Sequence, residues 1–101
     1  MFCQKIYSEK FIEEVVSSLD YWNKKWTMSS ICRFQKLSER FMERWIEDLD
    51  WDEISEHQDL SEEFMRRHKR EINWLVIRDR EIPLPKDLEI YLKVYILLHH
   101  N

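Results

Sequence analysis

The side chains in this 101-residue chain that could do chemistry are four histidines, two cysteines, several serines and a dense set of carboxylates. His57, His68, His99 and His100, with Cys3 and Cys32, are the possible ligands for a soft metal. A structural zinc site wants donors in close pairs such as C-x-x-C or H-x-x-x-H. Neither pattern occurs, and His99 and His100 are adjacent at a terminus that should fray, so no metal and no other cofactor is expected. The serines Ser8, Ser38 and Ser61 are explained by helix capping, and a nucleophile elbow or a phosphate-cradling loop needs glycine, which is absent. Carboxylates are abundant, but they fall on helix turns with nothing to suggest a pocket that would shift their titration. The expectation is a protein that is not an enzyme.

Charge is the next possible source of function. From Ser38 to Glu63 there are eleven acidic residues against two basic ones, Arg40 and Arg44. Glu43, Glu47, Asp48, Asp52, Glu53, Glu56 and Asp59 would then form an acidic face for a partner. Such a face could mimic a nucleic-acid backbone and occupy the basic groove of another protein. The plainer reading, which the pattern favours, is a solvated helix surface whose carboxylates cap helices and pair with arginines four residues away. From Phe64 to Arg80 the balance reverses, with six basic residues against Glu71 and Asp79. Arg66, Arg67, Lys69 and Arg70 are the residues that an alternative function, nucleic-acid binding, would use. Against that alternative, the whole chain carries a net charge of −4.

These residues must be positioned by helices. The chain has no glycine and two prolines, Pro83 and Pro85, so it lacks the turn residues that β-hairpins require. Alanine is absent too, so the helices depend on burying apolar faces, for which five tryptophans, five phenylalanines and four tyrosines are available. Neither cysteine has a metal-type spacing, and reduced thiols in an intracellular protein are the default. The first residues show no signal-peptide pattern and no apolar stretch approaches about 18 residues, so no membrane insertion is expected.

The strongest signal is internal repetition. Ile31 to Trp51 aligns over Ile54 to Trp74 without a gap, with nine identities in 21 positions, among them Gln35/Gln58, Ser38/Ser61, Phe41/Phe64 and Trp51/Trp74. Upstream, Tyr7 to Tyr21 aligns over Leu37 to Trp51 at a spacing of 30 instead of 23, which leaves seven extra residues within Trp22 to Ser30. The expected organisation is one domain over 1–101, with a degenerate unit at 7–30, regular units at 31–53 and 54–76, and a capping unit at 77–101. Each unit reads as a helix of about three turns and then one of about two. Ser38 and Ser61 cap the first helix, and Asp50 and Asn73 cap the second. Phe41, Met42, Trp45, Ile46 and Leu49 make one apolar stripe. One pair of such helices cannot bury that stripe alone, whereas stacked units can. The expected seam runs through Phe11, Phe41, Phe64 and the tryptophans that follow them. The fold class is all-α, with short helix-turn-helix repeats stacked as a small solenoid-like bundle and degenerate terminal units.

The segment from Leu37 to Trp74 resembles a tandem helical repeat of the form L-S-E-x-F, about nine residues, D/N-W, two residues, I-S, two residues, Q, found in proteins of large DNA viruses and some phages. The resemblance implies a helical repeat fold and a viral or phage origin, with the host cytoplasm as its place of action, and brings no catalytic residues. The sequence departs from the pattern where Trp45 becomes His68, where Ile46 becomes Lys69 and where Ile82 to Pro85 replaces the expected return. With the acidic face, it implies an interaction protein that inhibits a host defence or nucleic-acid-processing protein. The last helix is apolar on nearly all sides. Tyr91, Leu92, Tyr95 and Leu98 are therefore expected to serve as a docking or homodimer surface, or to be buried.

Overall fold

The computed structural model describes residues 6–99, and the described chain is all-α. Its helices are α1 (Glu9–Ser17), α2 (Tyr21–Phe34), α3 (Glu39–Arg44), α4 (Trp51–His57), α5 (Glu62–Arg67), α6 (Trp74–Arg80) and α7 (Lys86–His99). Cys3 and His100 lie outside the described residues.

The caps fall where the side chains require them. The hydroxyls of Ser8, Ser38 and Ser61 accept the amides of Phe11, Phe41 and Phe64, and Asp20, Asp50 and Asn73 do the same for Asn23, Glu53 and Val76. Each cap satisfies one amide that has no carbonyl within its own helix. The first helices of the two regular units are shorter than expected, with six residues each in α3 and α5. Past them the chain continues in tight turns, the amides of Asp48 and Glu71 bonding the carbonyls of Trp45 and His68. A bond three residues back keeps Leu49 and Ile72 on the inward side, so both are buried although neither is helical.

Side chains at equivalent positions make equivalent bonds between successive units. The Glu39 carboxylate accepts the Ser61 amide and hydroxyl at 2.6 and 2.8 Å, and Glu9 accepts those of Ser38 at 2.7 and 2.8 Å. Gln58 is buried and holds the adjacent corner. Its Nε2 donates to the carbonyls of Cys32 and Gln35 at 2.8 and 2.6 Å, and its Oε1 accepts the Leu37 amide at 3.0 Å. Gln35 accepts the Tyr7 amide at 2.9 Å in the same manner. In the last unit Glu81 stands where glutamine would, and Arg80 takes over, its guanidinium donating to the carbonyls of Ser55 and Gln58 at 2.8 and 2.9 Å. Glu81 itself ends α6 in the left-handed region at φ 55°, ahead of the proline-containing turn.

Packing follows chain order: α4 lies against α2, α6 against α4 and α7 against α6. The main core gathers Ile12, Val16, Met28, Ile31, Phe41, Ile54 and Phe64, and a second cluster gathers Met65, Ile72, Trp74, Ile77 and Leu88; Trp51 and Leu60 touch both. Phe41 and Phe64 are buried as expected, whereas Phe11 is 43% exposed and stacks on Tyr7 at the surface. The inward positions of α1 are Ile12 and Val16, four residues apart, which turns Phe11 outward.

Candidate partner-binding surface

The seven extra residues of the first unit are two added turns of helix. α2 has 14 residues where α4 and α6 have seven each, and its last seven, from Met28, occupy the place of those shorter helices. The added turns extend past the core. They hold Tyr21, Trp22 and Trp26 in solvent at 67, 68 and 77% exposure, although aromatic side chains are the ones that burial rewards most. Trp22 and Trp26 are four residues apart and so share a helix face, and the Tyr21 ring meets Trp22 edge-on at 5.1 Å.

Across from these rings run the turn after α3 and the start of α4. Between them lies an open groove of about 840 Å³ bordered by Trp22, Trp26, Glu47, Asp48 and Asp52. Glu47 and Asp48 are exposed and have no ion-pair partner among the described residues. Asp50 anchors the wall, capping α4 with one oxygen and accepting the Ser29 hydroxyl at 2.7 Å with the other. Lys24 and Lys25 stand on the aromatic side. The groove is thus flanked by indole rings and two cations on one side and by carboxylates on the other, of which Glu47 and Asp48 have no ion pair among the described residues.

The structure divides the expected acidic face. Glu43 bonds His68 and lies 3.4 Å from Arg67. Glu53 and Glu56 approach the His57 ring at 3.5 and 3.6 Å, and Asp52 accepts the Asn73 side chain at 3.1 Å. Glu47, Asp48 and Asp59 have no side-chain partner among the described residues, and the first two of these border the groove.

The basic stretch is largely engaged. Arg66 makes a two-pronged bond to Asp87 at 2.7 and 3.0 Å, which lifts the guanidinium above its ordinary range and holds the Asp87 carboxyl below its own. Arg67 bonds Glu63 at 3.3 Å, and the Lys69 ammonium sits 5.1 Å from the centre of the Tyr91 ring. Arg70 is exposed and has no ion pair among the described residues.

On α7, Tyr91, Leu92 and Tyr95 pack against the second cluster, with Trp74 and Tyr91 ring centres 5.2 Å apart. Leu98 is exposed, together with Ile90, Val94 and Leu97. The outward stripe of this helix is therefore Ile90, Val94, Leu97 and Leu98, rather than the face formed by Tyr91, Leu92 and Tyr95. His68 is wedged between Trp51 and Phe64, His99 stacks on Tyr95, and no group of three His, Cys, Asp or Glu poised for a metal occurs among the described residues. Cys32 is a free, buried thiol pushed up to about 12, first by burial and then by the nearby Asp50 and Glu53 charges, against a bond from the Asp50 amide that lowers it. No described helix is long and apolar enough to cross a membrane.

The aromatic side of the groove is what sequence reasoning missed, because tryptophans at helical spacing point first to the buried seam. The available signal was that Trp22 and Trp26 fall among the residues with no counterpart in the other units. Fold and groove together define a small all-α protein with a mixed aromatic and acidic surface. No protein-family model, curated protein or solved structure matches the chain.

Proposed function

We propose that this chain is a non-enzymatic protein-interaction module whose partner seats in the groove between the first turns of α2 and the turn preceding α4. The observation that carries the reading is the pair of exposed indoles, Trp22 and Trp26, on an insertion that adds nothing to the core. Exposed tryptophans next to unpaired carboxylates have the composition of an interface hot spot, where large rings supply contact area and charges supply selectivity. In its finer form the partner is a host defence or nucleic-acid-processing protein that the chain inhibits. That form is supported by the viral repeat resemblance and by the free Glu47 and Asp48. The alternative through Arg66, Arg67, Lys69 and Arg70 is less well supported, since three of these four already have partners within the chain.

The test is affinity capture with the wild type and with Trp22→Ala/Trp26→Ala. Proteins retained by the wild type and lost from the double variant, at unchanged melting temperature, support the proposal. Equal retention by both overturns it. A gel shift with duplex and single-stranded DNA and with RNA, sensitive to substitution at Arg66 and Arg67, would favour the alternative.

A further inference from the structure

We infer that the groove takes a protein segment presenting a single arginine, with the guanidinium stacked on the indoles of Trp22 and Trp26 and forked onto Glu47 or Asp48. This rests on the groove being the partner surface, and it names what the surface reads. Two observations and one property of the side chain lead to arginine. Trp22 and Trp26, four residues apart on one face of α2, are 68 and 77% exposed and offer aromatic surface to a partner. The opposing carboxylates are exposed and unneutralised by any described cation. Arginine is the side chain whose flat, weakly hydrated cation can lie on a ring and bond a carboxylate bidentately at the same time.

Lys24 and Lys25, on the aromatic side, narrow the occupant further. A run of consecutive cations would place some of them against these ammonium groups, which have no acidic partner among the described residues. A lone arginine with an acidic residue nearby meets complementary charge on both sides. The groove is thereby selective against polybasic tails, which a merely acidic surface would attract.

The probe is a set of terminally blocked nine-residue peptides with leucines flanking the central residue and one aspartate near an end. The central residue is arginine, lysine or citrulline, the neutral isostere of arginine. Binding is read from the indole N–H resonances of Trp22 and Trp26, assigned with Trp22→Phe and Trp26→Phe. The arginine peptide is expected to bind about tenfold more tightly than the citrulline peptide and about threefold more tightly than the lysine one, with the advantage lost in Glu47→Gln/Asp48→Asn. It is also expected to bind more tightly than nona-arginine at about 0.15 M salt, where diffuse attraction is screened. Equal binding of the arginine and citrulline peptides, or tighter binding of nona-arginine, overturns the inference. If captured partners still depend on Trp22 and Trp26 in that case, the interaction surface stands and only its arginine preference falls.

Discussion

Replacing Gln58 with alanine should destabilise the chain more than any comparable change of a polar side chain. Its amide joins the two regular units through three bonds, to the Cys32 carbonyl, the Gln35 carbonyl and the Leu37 amide, in a place that is only 3% exposed. Each of these backbone groups loses a partner that water cannot easily replace. At about 1 to 1.5 kcal/mol per bond the loss over three bonds is about 3 to 4.5 kcal/mol, a large part of the roughly 5 to 15 kcal/mol that holds a small domain folded. Urea unfolding followed by tryptophan fluorescence measures it. With a slope of about 1.5 kcal/mol per molar, the midpoint should fall by about 2 to 3 M. Gln58→Met, which keeps the volume and removes the bonds, should lose nearly as much, whereas Lys36→Ala on the exposed side should stay within about 0.5 kcal/mol. A shift below about 0.5 M in both Gln58 variants would refute the view that these bonds hold the corner.

Arg80→Met removes the donors to the Ser55 and Gln58 carbonyls and should cost about 2 kcal/mol in the same assay, against little for Arg78→Met, whose exposed side chain bonds its exposed neighbour Asp79. In a Cys3→Ser background, Cys32 should resist alkylation at pH 8 until the protein unfolds. Because burial raises the Cys32 thiol from 9.0 to about 12, its contribution to stability is complete below pH 9, and about 1.4 kcal/mol is lost per pH unit above that; base titration of the Cys32→Ala variant, lacking this slope, checks it. The outward stripe of α7 holds four exposed apolar residues, Ile90, Val94, Leu97 and Leu98, against the about 20 to 30 residues that each side of a standard interface contributes. Light scattering should therefore give a monomer mass at micromolar concentration.

The all-α class was legible because the absence of glycine and the 23-residue identities exclude most alternatives, and the caps at Ser38, Asp50, Ser61 and Asn73 were legible because each has the side chain that a helix start needs. The early ends of α3 and α5 were not legible. No glycine or proline marks them, and the turn that follows keeps the same inward stripe, so the apolar pattern continues through a change of backbone. Arg80 was hidden for a related reason. It replaces the expected glutamine from one position earlier in the chain, and only the three-dimensional arrangement shows that a guanidinium reaches both carbonyls.

The functional surface was the least legible part. A tryptophan in a sequence carries no mark of facing inward or outward, and Trp22 and Trp26 look in the sequence like the core-forming Trp51 and Trp74. Individual carboxylates of the acidic segment are likewise indistinguishable in sequence, and only the structure puts Glu43 on His68 and Glu53 beside His57 and gives Glu47 and Asp48 no ion pair among the described residues.

Hydrogen exchange on the complex with a captured partner tests the central claim most directly. Slowed exchange over residues 21–30 and 45–52, with little change elsewhere, is the expected footprint. Protection centred on 66–70 or on 90–98 instead would contradict it.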